Sequence, residues 1–562
     1  MTRRDKTHND AARRRDGLGV QSKMSHHHPK LFDFMQEREA IMQEVVGRVL
    51  RVHTRSARVS RDRHLDFVLN EAAFLEMQRL EKGRSRQDLH GFEFWHGLAR
   101  SLGKASEQQK IEQLRALVQA YCEDVAGKFT PAVYKFATSV LPMALGFAFN
   151  AHSFDSMFKN FKSLSERVIV QGHLETLRRL SEVGTLVVVP THSSNLDSIV
   201  VGWGLEASGL PPVTYGAGKN LFSHPLLSFF MQNLGAYRVD RRLRHTLYKD
   251  VLKAYSEVLL ERGYHSLFFP GAGRCRSNVV EQHLKLGLMG TALTAYTNNM
   301  MAARPKPKIF ICPMTINYHL VLEAETLIAE HLRQDGGARF IIDDDEFSDV
   351  KKVAKFMLKT MSMEYTLHMQ FAPPLDPFGN PVDASGDSLD PHGRPIDTAR
   401  YLWVNGRVQA DAKRDAEYTR ECGRAVAQAF KRNTVAVSTS FLSFALFQVL
   451  QELYAGMDLY RLLQVTRGEL LPFEVIYQRA ERLRAALKAK AHAGGILLAR
   501  DVEQLEIPVL VERAAKIFGM YHPVPVVQRR ANGLEVSHPN LLHFYSNRLA
   551  GYGLEDAQEM TR

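Results

Sequence analysis

Hydrophobic positions change their period along this chain. From Leu31 to about Leu180 they fall at helical spacing with charges between, as in Phe67–Leu80 and Lys110–Val125, which predicts a helical N-terminal region. After Thr185 the texture becomes short apolar runs. Strands are expected at Thr185–Val189, Val213–Tyr215, Tyr237–Val239, His265–Phe269, Ile309–Thr315 and Thr366–Phe371, with helices at Ser198–Ala207, His245–Arg262 and Gln282–Thr297. Strands alternating with helices predict an α/β fold, a mostly parallel central sheet flanked by helices. Pro373–Ile396, with Pro-Phe-Gly-Asn-Pro and later His-Gly-Arg-Pro, reads as a long loop and a boundary. Beyond it the pattern is helical again, and no internal repeat is evident. The expected division is a basic disordered arm at 1–30, a helical N-terminal region at 31–180, a catalytic α/β domain at 181–375, a linker at 376–397 and a helical C-terminal region at 398–562.

Three stretches lack charge. Phe136–Phe154 reaches transmembrane length but contains Pro142, Asn150 and His152, so a buried or membrane-lying helix is expected ahead of a true span. Leu221–Leu234, with Phe222, Phe229, Phe230 and Met231, reads either as core or as an apolar helix that dips into a bilayer or lines a chain-binding groove. Asn433–Gln451 is again of marginal span length.

Charge and composition narrow the classes. Among 562 residues, Lys and Arg exceed Asp and Glu by 12, which points to an anionic partner. Residues 1–30 hold eight Lys/Arg against three Asp, without the apolar core of a secretory signal. That arm reads as solvated chain or as a segment attracted to anionic lipid; His26, His27 and His28 within it are weak evidence of a metal tract. Cys122, Cys275, Cys312 and Cys422 have no paired spacing, which excludes a disulfide framework or a four-cysteine zinc module and fits a reducing cytosol. Without interleaved aromatic and basic residues, no nucleic-acid partner is expected.

Four blocks carry candidate chemistry. In Val187-Val-Val-Pro190-Thr-His192-Ser-Ser-Asn-Leu-Asp197 an apolar strand ends and a His precedes an Asp by five positions. On one regular helix these side chains diverge; with His192 in the turn and Asp197 in the first turns of the next helix they can meet, and a carboxylate then fixes the imidazole tautomer. The second block is Gly235-Ala-Tyr-Arg238-Val-Asp240-Arg241-Arg242, with Lys219 before it. Phe269-Pro-Gly-Ala-Gly273-Arg274-Cys-Arg276-Ser277-Asn278 is the third: glycines at a strand exit admit a ligand to the backbone, and forked guanidiniums suit phosphate. It is not a Walker loop, and a tight turn with solvated arginines is the plain alternative. In the fourth, Ile311-Cys-Pro313-Met-Thr-Ile-Asn-Tyr318, a proline inside a strand suggests a sheet edge or a special exit. Asp343-Asp-Asp-Glu346 reads as a helix N-terminal cap ahead of a cation site.

Taken in order, these blocks resemble the four motifs of the glycerolipid acyltransferase superfamily, most closely glycerol-3-phosphate 1-O-acyltransferases of the bacterial membrane type. The resemblance covers about Thr185–Tyr318 well and the flanking regions loosely. It implies that His192 is the general base and Asp197 its partner. It also implies that Gly273, Arg274, Arg276 and Ser277 bind the substrate phosphate with Arg238 or Arg241, and that Lys219, Gly235 and Pro313 belong to the donor and substrate pocket. The sequence departs from the family in one respect: many members carry a Glu just before the glycines of the third block, where this chain has Gly271 and Ala272.

The resemblance further implies transfer of a fatty acyl group from acyl-CoA or acyl-carrier-protein to the sn-1 hydroxyl of glycerol 3-phosphate, with no cofactor and no metal. Dihydroxyacetone phosphate or a lysophospholipid are alternative acceptors, and a non-catalytic membrane-bound scaffold is the alternative of a different class. The implied setting is the cytoplasmic face of the inner membrane, held peripherally or monotopically against an anionic surface.

Overall fold

The structure, a computed structural model, describes residues 29–55, 58–83, 85, 88–139, 168–222, 225–271, 273–335 and 367–554. The basic arm with its three histidines, most of Phe136–Phe154, and Asp343–Glu346 lie outside the described residues. Five helices come first: α1 (Phe34–Thr54), α2 (Arg58–Lys82), α3 (Phe92–Leu102), α4 (Glu107–Val125) and α5 (Pro131–Ser139). The α/β unit then runs β1 (Val168–Gly172), α6 (Leu174–Val183), β2 (Thr185–Pro190), α7 (Asp197–Ala207), β3 (Thr214–Gly218), α8 (Pro225–Asn233), β4 (Ala236–Val239), α9 (Thr246–Glu261), β5 (Ser266–Leu267), α10 (Met289–Met301), β6 (Ile309–Tyr318), α11 (Ala324–Asp335) and β7 (Leu367–Phe371).

The seven strands form one sheet in the order β1-β7-β6-β2-β5-β3-β4. Strands β2 to β6 run parallel; β7 pairs antiparallel with β6, and β1 parallel with β7. β2 is buried along its whole length, as its unbroken apolar run requires of a strand covered on both faces. Strand β1 is an addition to the expected pattern. Its five residues fall inside the stretch whose spacing reads as helical, and a segment so short cannot declare its own period.

Pro313 sits in β6, which lies between β2 and β7 and is not an edge. The proline is tolerated because the neighbouring strand breaks beside it. β7 ends at Phe371, Pro313 accepts from the Ala372 N–H at 2.9 Å, and pairing resumes where Ile311 and Leu375 exchange two bonds of 2.8 Å.

The stretch Pro373–Ile396 is more ordered than a loop reading suggests, and it does contain a repeat. Asp376, Asp383 and Asp390 each accept from the backbone N–H groups two and four residues ahead at 2.8–2.9 Å. Gly379, Gly386 and Gly393 follow at the matching place of each turn with φ of 94°, 82° and 78°, left-handed conformations that glycine adopts without steric cost.

The C-terminal region comprises α12 (Ala412–Asn433), α13 (Ser438–Leu453), α14 (Leu459–Val465), α15 (Phe473–His492), α16 (Arg500–Gln504), α17 (Ile507–Phe518) and α18 (Pro539–Ser546), with short strands between. The uncharged stretch at Asn433–Gln451 is interrupted by a strand at Val435–Ala436 and continues as α13, buried from Ser438 to Leu450 as the centre of this region. One hydrophobic core joins α13, α15, α17 and α18 to β2 and β6, so the C-terminal helices cover one face of the sheet. The N-terminal helices pack instead on α9 through a second core. Among the described residues no helix is long and apolar enough to cross a membrane.

Candidate functional site

Everything at the site is arranged around the exit of β2. The loop after Pro190 turns sharply, with Thr191 N–H on Met314 O and Thr191 Oγ1 accepting from Ile316 N–H, both at 3.0 Å. Asp197 then opens α7. Its Oδ2 accepts from His192 Nδ1 at 2.9 Å and from the Ser193 and Ser194 N–H groups at 2.7 and 2.9 Å. The separation of five positions thus works as the sequence requires, with the imidazole in the turn and the carboxylate at the helix start. Asp197 is fully buried, whereas the His192 side chain keeps 12% of its exposure. A carboxylate on Nδ1 fixes the proton there and leaves Nε2 as the basic atom; Nε2 has no hydrogen-bond partner among the described residues. The ring stacks on Phe269, centroids 4.2 Å apart.

β6 and the residues after it supply further support, through Tyr318 at the end of the fourth block and Glu323 outside all four. Tyr318 Oη donates to Asp197 Oδ1 at 2.7 Å. Burial first, and then the Asp197 charge, raise the Tyr318 pKa well above its usual value, so the phenol keeps its proton and stays a donor. Glu323, just past β6 and fully buried, accepts from Ser194 Oγ at 2.7 Å and from Asn195 N–H at 3.0 Å. A lone acid ending the apolar run Leu320-Val-Leu was the available signal for it.

The arginine loop, residues 270–288, lies directly over this turn. Cys275 N–H donates to His192 O at 2.7 Å, and His192 N–H donates to Glu281 Oε1 at 3.0 Å. Because Lys285 N–H closes the loop on Pro270 O at 2.7 Å, α10 begins at Met289, later than its apolar spacing suggests. Gly273 has no side chain, and its open side faces Arg241 Nη1 and Arg276 Nη1, 3.7 and 3.8 Å from where a Cβ would stand. Three guanidiniums therefore gather here, those of Arg241, Arg274 and Arg276. Desolvation, followed by the charges of Arg274 and Arg276, pushes the Arg241 pKa down. Arg276 Nε donates to Glu330 Oε2 at 2.7 Å; Arg274 reaches Glu330 Oε1 at 3.4 Å and Glu323 Oε1 at 3.6 Å. Among the described residues no carboxylate pairs with Arg241, so its guanidinium is open to a small anion. The Cys275 thiol, pushed up to about 12 mainly by burial, is inert at neutral pH.

Of Arg238 and Arg241, only Arg241 joins this cluster. Arg238 lies over the Phe222 ring and reaches Asp124 of α4 at 3.5 Å. Lys219 is buried against the same carboxylate at 2.8 Å. Gly235 holds the turn into β4, φ 85°, with its N–H on Lys128 O, and Pro313 is buried in the sheet. Lys219, Arg238, Gly235 and Pro313 are thus tied to scaffold groups rather than to the His192 ring. Ser277 is held from behind: its carbonyl accepts from Asn547 Nδ2 at 3.0 Å, and Asn278 Nδ2 donates to Phe544 O at 3.1 Å. Arg548, buried beside them, donates to Ile316 O at 2.9 Å and to Asn317 Oδ1 at 3.2 Å. No group of three or more metal-ligating side chains occurs among the described residues.

Residues 170–317, which span most of this α/β unit, match the family model described as Acyltransferase. The glycerol-3-phosphate acyltransferase of Pseudomonas aeruginosa PAO1 is 25% identical over 289 residues, 51% of this chain and 30% of that protein. That of Pseudomonas fluorescens Pf-5 is 26% identical over 228 residues, 40% and 24% of the two. The aligned part of this chain thus spans under a third of either relative's length. Among solved structures, the 1-acyl-sn-glycerophosphate (LPA) acyltransferase PlsC of Thermotoga maritima aligns with 57% of this chain and 88% of its own at 14% identity, TM-score 0.23.

Proposed function

We propose that this chain transfers a fatty acyl group from acyl-CoA or acyl-carrier-protein to the sn-1 hydroxyl of glycerol 3-phosphate, giving lysophosphatidate. The observation that carries the reading is the His192–Asp197 pair lying against a loop where the guanidiniums of Arg241, Arg274 and Arg276 gather. The alkyl hydroxyl of glycerol 3-phosphate is a weak nucleophile, because its pKa lies far above neutrality. Unprotonated Nε2 of His192 takes its proton as the oxygen attacks the thioester carbonyl. The carbon–sulfur bond breaks, and the imidazolium returns the proton to the departing thiolate. General-base assistance of this kind contributes about 10²- to 10⁴-fold.

Arg241, Arg274 and Arg276 hold the phosphate and so set the distance between the hydroxyl and His192; a lone hydrocarbon alcohol would gain nothing from them. We further place the chain peripherally on an anionic membrane face. Phe136 of α5 and Phe229 of α8, 44% and 51% exposed, offer apolar contact there, and the net charge supplies attraction.

The test is acyl transfer from palmitoyl-CoA to radiolabelled glycerol 3-phosphate by the purified chain in vesicles, with His192→Ala alongside. Lysophosphatidate from the wild type alone is expected. An active, well-folded His192→Ala protein would sink the mechanism. Product from dihydroxyacetone phosphate but not from glycerol 3-phosphate would replace the acceptor.

A further inference from the structure

Gly271 contributes no side chain beside the His192 turn, and Glu281 lies against that turn. A Cβ on Gly271 would stand 3.1 Å from the Gly273 carbonyl oxygen, 3.6 Å from Oε1 and 3.8 Å from Cγ of Glu281. The Glu281 carboxylate therefore borders the space beside Gly271. Its Oε1 accepts from the His192 N–H at 3.0 Å, while the His192 carbonyl accepts from Cys275 N–H at 2.7 Å. Both polar groups of the His192 backbone thus bond to one loop, and Glu281 closes the pair. Oε2 of Glu281 is buried and without a hydrogen-bond partner among the described residues, so this carboxyl is held in place at a cost.

We propose that Glu281 is a positioning residue for His192, supplying from the far end of the arginine loop the carboxylate that position 271 lacks. It fixes the backbone from which the imidazole projects, so that Nδ1 meets Asp197 and the ring stays on Phe269. Burial raises the Glu281 pKa, which is consistent with a group retained for its geometry rather than for its charge. The inference rests on the acyltransfer reading only for its kinetic readout.

Four full-length proteins decide it: wild type, Glu281→Ala, Glu281→Gln and the double variant Gly271→Glu/Glu281→Ala. Misplacing the base is expected to lower kcat of Glu281→Ala by roughly 10- to 100-fold. KM for glycerol 3-phosphate should stay within about twofold, because no phosphate contact is removed. Glu281→Gln keeps an acceptor for the His192 N–H and should fall between the two, while the double variant should recover kcat relative to Glu281→Ala. Wild-type kcat in Glu281→Ala, or a double variant with unchanged melting temperature and no recovery, overturns the proposal.

A second readout needs no turnover: the rate of His192 carbethoxylation by diethyl pyrocarbonate, followed by peptide mass spectrometry. It should change in Glu281→Ala and return toward wild type in the double variant; identical rates in all proteins overturn the proposal. If wild type transfers no acyl group, the function proposed above fails, and the modification rates alone still decide whether Glu281 holds His192.

Discussion

Tyr318 Oη stands 2.7 Å from Asp197 Oδ1, on the side of the carboxylate away from His192. Asp197 is thereby held at both oxygens, by the imidazole and two backbone N–H groups on one and by a phenol on the other. Tyr318→Phe removes only the second anchor. The expected loss is about 1 kcal/mol of transition-state stabilisation, roughly fivefold in kcat. KM for glycerol 3-phosphate should hold, since the phenol touches no arginine. Steady-state kinetics on both substrates separate the two constants.

The ion pair between Arg276 and Glu330 makes opposite predictions for its two members. Arg276→Ala should raise KM for glycerol 3-phosphate roughly 10- to 100-fold, the worth of one charge-assisted hydrogen bond. Glu330→Gln keeps an acceptor for Arg276 but removes the competing negative charge, so KM should fall about 3- to 10-fold. An effect confined to KM for the acyl donor would contradict this assignment of the loop.

Buried histidines make the fold sensitive to acid. Burial pushes the pKa of His245, His265, His368 and His543 down to about 4, against an ordinary value near 6.5. Below pH 6.5 the unfolded chain therefore binds protons that the folded chain refuses. Stability is complete above that pH and falls as pH drops toward 4, where the folded histidines also protonate. His245 caps α9, its Nδ1 accepting from Tyr248 N–H at 3.2 Å. Asn is also an N-cap residue but does not titrate, so urea midpoints of His245→Asn should decline less between pH 7 and pH 5 than those of wild type.

The Asp–Gly repeat offers a stability comparison free of chemistry. Gly393 has open space where a Cβ would go, so Gly393→Ala meets only backbone strain, about 1–2 kcal/mol. Gly386→Ala adds a 3.1 Å approach to Phe310 Cζ in the sheet and should cost more. Paired thermal melts give the order directly.

What could be read from the sequence was what neighbouring residues decide among themselves. His192 and Asp197 are joined by one turn, so their spacing and the flanking strand sufficed. Strand β2 declared itself because both its faces are buried. The Asp–Gly repeat escaped notice because its units are only seven residues long and the residues inside each turn differ, Pro-Phe, Ala-Ser and Pro-His. Glu281 and Glu323 were illegible as parts of the site, and Tyr318 ended the fourth block without a role, since their meaning depends on which chain segment lies opposite. For the same reason two arginines of the second block divided in space, Arg241 toward the arginine loop and Arg238 toward Asp124.

The backstop of the arginine loop has a consequence in time. Asn547 grips Ser277 across a sequence separation of 270 residues. At roughly 5–20 residues per second, a ribosome takes on the order of 15–50 s to cover that distance. Throughout that interval the His–Asp turn and its loop exist without the helix that steadies them. The arginine loop thus gains its backstop only once the segment around Asn547 has emerged and docked.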